Sequence, residues 1–309
     1  MKTVFFGTPD FAVPSLEALI ESHNVAAVVS QPDKPKGRGK KVIPTPVKIA
    51  AEKHGIPVLQ PLSARNPEFL KELETYGADI FVVAAYGQIL PKRLLDMPKF
   101  GSVNVHGSLL PKYRGAAPIQ QAVIDGEKTT GVTIMYMAEK LDSGDMLLKA
   151  EIPIESDDTY GSLSDKLADL GANTLIKALK QIEEGSANPV KQDDSLSTYA
   201  HKVTKEGGLI DFSQGSEKIV NLIRGYNPSP TAYTLYDGGR MKVYAAKAVK
   251  GEFEGKPGEI ISADKKGIIV KTGDGAVCIT EIQAPGSKKM SVSAYLLGHK
   301  IENGKTFGV

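Results

Sequence analysis

The sequence predicts an α/β protein of two domains: a Rossmann-like, mostly parallel sheet covered by helices, then a smaller OB-like β-barrel. Three observations predict it. Through the first half, short apolar runs rich in β-formers alternate with stretches of helical period. Between residues 186 and 208 the chain turns polar and aperiodic, broken by Pro189 and the pair Asp193 and Asp194. Beyond it, short strand patterns follow one another between glycine-rich turns. The 309 residues also exceed one ordinary domain, which spans roughly 100 to 200 residues.

Taken in order, the first strand is expected at 3–6, behind a single Lys2. That apolar run is shorter than the ~7 residues of a secretory core, so it reads as a strand and not as a leader. Further strands are expected at 25–29, 57–59, 80–84, 103–106 and 132–135, alternating with helical patterns. From 161 to 183, Leu163, Leu167, Leu170, Leu175, Leu179 and Ile182 form the stripe of an amphipathic helix that closes the domain, and Gly185 ends it. The expected division is therefore a domain at 1–185, a linker at 186–208 and a second domain at 209–309. In the second, a helix is expected at 216–225, with strands at 242–245, 258–262, 267–272 and 276–282.

Composition bounds the partners. The formal net charge is only +2, yet it is unevenly spread. From residue 207 onward, 14 Lys and Arg face 10 Asp and Glu, a local +4 that leaves −2 for the remainder. No apolar stretch approaches the ~20 residues of a membrane span, so no membrane partner is expected. The single cysteine, Cys278, cannot form an internal disulfide, which fits a reducing, cytoplasmic location.

Asn104 and His106 stand two apart in Ser102-Val103-Asn104-Val105-His106-Gly107 and so share one face of the 103–106 strand. Gly107 and Pro111 mark its carboxyl end, the edge at which open α/β sheets bind ligands. A carboxylate from Lys140-Leu141-Asp142-Ser143-Gly144-Asp145 would orient and charge the imidazole, and spacing admits either Asp142 or Asp145. An amide, an imidazole and a carboxylate suit transfer of an acyl-level carbon, because negative charge grows on the carbonyl oxygen as a nucleophile adds. The nucleophile should belong to the substrate, since neither a G-x-S-x-G elbow nor an H-E-x-x-H or C-x-x-C metal motif occurs. Gly7-Thr8-Pro9 lacks the further glycines of a dinucleotide turn, which speaks against NAD. The stretch 33–41 carries Lys34, Lys36, Arg38, Lys40 and Lys41 among Pro35, Gly37 and Gly39, a flexible cationic loop suited to nucleic acid.

The run Asn104-Val105-His106-Gly107-Ser108-Leu109-Leu110-Pro111-Lys112-Tyr113-Arg114-Gly115 resembles the signature of the 10-formyltetrahydrofolate-dependent formyltransferases, and Leu141-Asp142-Ser143-Gly144 is similar to their second motif. Phe6-Gly7-Thr8-Pro9-Asp10-Phe11-Ala12, residues 31–41, 85–91 and 115–120 resemble the members of that family that act on aminoacyl-tRNA. The resemblance implies a catalytic trio of Asn104, His106 and Asp142, with Asp142 chosen over Asp145. It implies 10-formyltetrahydrofolate as formyl donor, held by Ser108, Leu109, Leu110 and Pro111, with the backbone around Gln88, Ile89 and Leu90 against the pteridine. The acceptor it implies is the α-amino group of methionine on initiator tRNA, with Lys34, Lys36, Arg38, Lys40 and Lys41 facing the acceptor stem. No metal and no NAD are implied, and a monomer is expected. The competing expectations are a formyltransferase acting on glycinamide ribonucleotide or an amino sugar, a hydrolase releasing formate, and an RNA-binding protein without catalysis.

Overall fold

The structure, a computed structural model, describes residues 1–36 and 41–308, with the side chains of 36 and 41 outside that description. In chain order its elements begin with β1 (Lys2–Gly7), α1 (Val13–Ser22), β2 (Asn24–Val29), β3 (Lys34–Lys36), β4 (Lys41–Ile43) and α2 (Pro46–Lys53). Next come β5 (Val58–Leu59), α3 (Pro67–Thr75), β6 (Ile80–Ala84), α4 (Lys92–Leu95), β7 (Ser102–His106), β8 (Arg114–Gly115) and α5 (Pro118–Ile124). Then follow β9 (Thr129–Tyr136), β10 (Met146–Pro153), α6 (Tyr160–Glu183) and β11 (Tyr199–Ala200). The chain divides into two compact units. One comprises Met1–Pro118, Thr129–Pro153 and Ser164–Ala200; the other comprises Ile119–Lys128, Ile154–Leu163 and the chain from His201 onward.

In the first unit one seven-stranded sheet runs β10-β9-β7-β6-β1-β2-β5. From β7 to β5 every neighbouring pair is parallel, as the strand–helix alternation predicts. β9 and β10 then add antiparallel strands at one edge. β10 falls outside the expected strands because its exposure alternates along Leu148, Lys149, Ala150 and Glu151, without the solid apolar run of the inner strands. A sheet edge with one wetted face produces such a pattern.

Side-chain alternation gives the sheet two apolar faces. Phe5, Val28, Val82, Val103 and Val105 pack with Leu16 and Leu19 of α1 and with Leu175 and Leu179 of α6. On the opposite face Val4, Phe6, Val29, Phe81 and Val83 pack with Phe69, Leu70 and Leu73 of α3 and Leu94 of α4. The leucine stripe read from the sequence is thus the buried face of α6: Leu163, Leu167, Leu175 and Leu179 are wholly inaccessible. Burying a leucine in this way stabilises the fold by about 1.5 to 3 kcal/mol. No helix among the described residues is long and apolar enough to cross a membrane.

Two stretches are more ordered than their composition implies. Within the expected cationic loop, β3 and β4 pair antiparallel with Lys34 opposite Ile43 and Lys36 opposite Lys41, so its ends are strands and not loop. Arg38 and Lys40 lie outside the described residues. In the segment expected as a linker, Val190 pairs with Met146. Further on, Gln192 is buried, and β11 forms a parallel ladder with β8. Within this segment, residues up to Ala200 belong to the first unit and those from His201 to the second. Gln192, Asp194 and Thr198 of this segment hydrogen-bond to the loops around Tyr113, Arg114 and Asp142, while most of its other polar side chains are exposed.

The second unit contains α7 (Ser216–Tyr226), β12 (Ala232–Tyr236), β13 (Gly239–Val249), β14 (Ile260–Asp264), β15 (Gly267–Lys271), β16 (Ala276–Gln283), β17 (Met290–Ser291) and α8 (Val292–Tyr295). Its antiparallel sheet runs β12-β13-β16-β15-β14, with β17 added to β16. The C-terminal tail joins the two ends of this sheet. Gly308 N–H donates to the Leu235 carbonyl of β12, while Phe307 N–H and Ile260 N–H donate to the carbonyls of Gly258 and Lys305 beside β14. The interior, including Ile219, Ile223, Val243, Ile268, Val270, Val277 and Ile279, is filled from α7 and the strands.

Candidate active site

On β7, strand alternation sends Val103 and Val105 into the core beneath α6 and leaves Asn104 and His106 on the other face. Asn104 pairs in register with Val83 of β6 and Met135 of β9, and His106 stands opposite Thr133. Both are buried, 9% and 5% exposed, at the carboxyl end of a parallel strand. The loop that follows is tied down from β9 and β10. Thr133 Oγ1 donates to the Ser108 carbonyl at 2.7 Å and accepts from Leu110 N–H at 3.1 Å. Ser108 Oγ donates to the Lys112 carbonyl at 2.7 Å, and Lys149 Nζ donates to the Leu110 carbonyl.

Asp142 arrives from the turn between β9 and β10 in a left-handed conformation, φ 47°. Its Oδ2 accepts Gly115 N–H at 2.8 Å and lies 3.8 Å from His106 Nδ1. His106 Nε2 is 3.0 Å from the Tyr113 carbonyl. A carbonyl only accepts, so Nε2 carries a proton in that bond, and a second proton on Nδ1 would face the carboxylate. Of the two carboxylates that spacing left open, the structure brings Asp142 to the imidazole, while Asp145 is exposed. Gly144 permits the turn: a Cβ there would sit 1.7 Å from the Tyr136 carbonyl oxygen.

The residues expected around the folate divide by role. Ser108 and Leu110 are fully buried, with the Ser108 hydroxyl engaged inside its own loop and Leu110 packed on Met135 and Met146. Leu109 and Pro111 are half-buried. Gln88 Oε1 accepts Ala64 N–H at 2.7 Å, so this side chain holds the neighbouring loop. Leu90 is buried, whereas Ile89 is 71% exposed. Of the expected tRNA-facing cations, Lys34 is exposed, and for Lys36 and Lys41 only the backbone is described.

Sequence reasoning missed a buried polar group behind the site. Arg114, 3% exposed, donates from Nε and Nη2 to Gln192 Oε1 at 3.0 and 2.8 Å and reaches Asp194 Oδ1 at 2.7 Å. Gln192 Nε2 donates in turn to the carbonyls of Asp142 and Gly144, both at 2.8 Å. Arg114 stands within the 104–115 motif; Gln192 has no local signal at all. In the second unit, Lys205, Arg240 and Lys242 line a recess of about 140 Å³ with Tyr233, and the Arg240 guanidinium lies 4.0 Å from that ring's centre. Among the described residues no group of three His, Cys, Asp or Glu is placed to hold a metal ion.

Residues 1–179 match the family described as Formyl transferase, and residues 202–300 match Formyl transferase, C-terminal domain. The methionyl-tRNA formyltransferase of Ruminiclostridium cellulolyticum is 50% identical over 311 residues, covering 100% of both chains. That of Caldanaerobacter subterraneus subsp. tengcongensis is 52% identical over 306 residues, covering 98% of this chain and 99% of its own. Among solved structures, the N-formyltransferase from Helicobacter canadensis in complex with folinic acid and dTDP-3-aminofucose superposes with a TM-score of 0.68 at 21% identity, covering 92% of this chain and 99% of its own. HypX from Aquifex aeolicus in complex with tetrahydrofolic acid gives 0.64 at 19%, covering 99% of this chain and 50% of its own. At such identities these two structures speak for the fold.

Proposed function

The chain belongs to the formyl transferase family, and from that premise we propose that it transfers the formyl group of 10-formyltetrahydrofolate to the α-amino nitrogen of methionine esterified to initiator tRNA. The observation that carries the chemistry is the buried imidazole of His106 with Asp142 Oδ2 3.8 Å from Nδ1, beside Asn104 at the carboxyl end of β7. The acceptor follows from about half the residues being shared with methionyl-tRNA formyltransferases over both units. Residues 1–185 carry the reaction on this reading, and 209–309 dock the nucleic acid.

As the uncharged amine adds to the formyl carbon, a new N–C bond forms and negative charge grows on the carbonyl oxygen. Asn104 and the Nδ1–H of protonated His106 donate hydrogen bonds to that oxygen, since the ring's Nε2–H is already held by the Tyr113 carbonyl, an arrangement already paid for by folding. Asp142 holds the imidazole cation and helps the amine's proton reach N10, whose bond to the formyl carbon breaks. No residue of the chain is acylated. Leu109, Pro111 and Ile89 offer the apolar surface on the loops after β7 and β6 against which the folate ring packs, while Ser108, Leu110 and Gln88 shape those loops. The basic recess of Lys205, Arg240 and Lys242 supports contact with tRNA phosphates.

Incubation with methionyl-tRNA and 10-formyltetrahydrofolate, followed by mass analysis of the released amino acid, tests the reading. Formylmethionine is the expected product. Unmodified methionine, alongside a formylated amino sugar or glycinamide ribonucleotide in parallel reactions, would overturn it in favour of a small amine acceptor.

A further inference from the structure

Gln192 lies in the stretch whose composition reads as a linker, and no step of the formyl transfer uses it directly. Its carboxamide is nonetheless fully committed. The two N–H groups of Nε2 go to the carbonyls of Asp142 and Gly144, each at 2.8 Å, and Oε1 takes two N–H groups of Arg114 at 3.0 and 2.8 Å. The side chain is 5% exposed, so the bonds compete little with water.

These contacts hold Asp142 from both ends. Its carboxylate is fixed by Gly115 N–H at 2.8 Å, and its carbonyl by Gln192 at 2.8 Å. Gly115 itself is seated by β11: its φ is 123°, and a Cβ there would lie 2.5 Å from the Ala200 carbonyl oxygen, which leaves no room for a side chain. Asp142 sits in the left-handed region, which carries a strain cost for a residue other than glycine that the contacts around it offset. The segment 190–200 therefore supplies the partners that place the carboxylate beside His106: Gln192 through the Asp142 turn, and Ala200 through the β8 ladder.

We propose that Gln192 is a positioning residue for formyl transfer, acting through Asp142. The proposal rests on the formyl-transfer reading above. In the full-length protein, Gln192→Glu keeps an acceptor for Arg114 but removes both donors from the Asp142 turn. Misplacing a reacting group by ~1 Å costs on the order of 100-fold, so kcat is expected to fall about 10- to 100-fold. KM for methionyl-tRNA and for the folate should stay near the parent values. The same substitution made in Asp142→Ala, read under single-turnover conditions, should change the rate by less than about twofold, because the effect travels through the missing side chain.

Equal losses in the two backgrounds would assign Gln192 a general structural role and overturn the proposal. So would a parent-like kcat in Gln192→Glu while Asp142→Ala is crippled, an outcome that leaves the reading of the site intact. A parent-like rate in Asp142→Ala would instead remove that reading. Should Gln192→Glu melt early, the near-isosteric Gln192→Met takes its place in the same cycle, with the same pattern expected.

Discussion

Asn104 sits on a strand so completely buried that its amide can only have been placed there by the fold. Its neighbours Val103 and Val105 pack in the core with Leu175 and Leu179 of α6, on the face opposite the carboxamide. Losing one donor to a developing oxyanion typically costs ~3 to 4 kcal/mol. Asn104→Ala is therefore expected to lower kcat by about two to three orders of magnitude while its thermal midpoint stays close to the parent's. Near-normal turnover would remove Asn104 from the chemistry. At this scale the residue types and the two-residue spacing are written in the sequence. The choice of Asp142 over Asp145 is not a matter of spacing at all. It comes from the turn: φ 47° at Asp142 and the absent Cβ at Gly144 swing one carboxylate toward His106 and leave the other in water.

Elements differ in where their ends are encoded. α2 and α3 start on local signals, with Thr45 and Asn66 accepting N–H groups of Lys48 and Glu68 and a proline following each cap. α7 does not. Its N-cap is Gly215, which brings no side chain, and Asp274 from the turn between β15 and β16 supplies the acceptor for Ser216 N–H and Oγ, both at 2.8 Å. Those bonds, the backbone N–H first, hold the Asp274 carboxyl below its ordinary 3.8. A carboxyl depressed in the folded state stabilises the fold above the unfolded value, and that contribution fades as pH falls through the lower folded value. Asp274→Asn should therefore show a smaller loss of stability than the parent below about pH 4. Urea unfolding at acid and neutral pH checks this; identical acid limbs for both proteins would exclude the cap.

For the whole molecule, net charge understates what a polyanion meets. The surplus is confined to the C-terminal third, 14 basic against 10 acidic residues from 207 onward, and includes Arg240 and Lys242 of the recess beside Tyr233. Each phosphate neutralised adds ~0.7 to 0.9 to the slope of log affinity against log salt. Binding of methionyl-tRNA is expected to weaken steeply with potassium chloride, and Arg240→Ala with Lys242→Ala together should flatten the slope by about 1 to 2. Fluorescence titration at several salt concentrations measures it, and an unchanged slope would exclude the recess as a phosphate site.

Periodicity was enough to specify the layered α/β unit, the β-rich second unit, the stripe of α6 and the face shared by Asn104 and His106, because it records within a few residues which side of an element is buried. The edge strand β10, the paired ends of the cationic stretch, the distant cap of α7 and the network behind Asp142 emerge only from the folded chain. Gln192 meets Asp142 across 50 residues of sequence and Arg114 across 78. A contact of that range depends on where the chain returns, and no local pattern of polar residues distinguishes a glutamine that will be solvated from one that will be clamped between two loops.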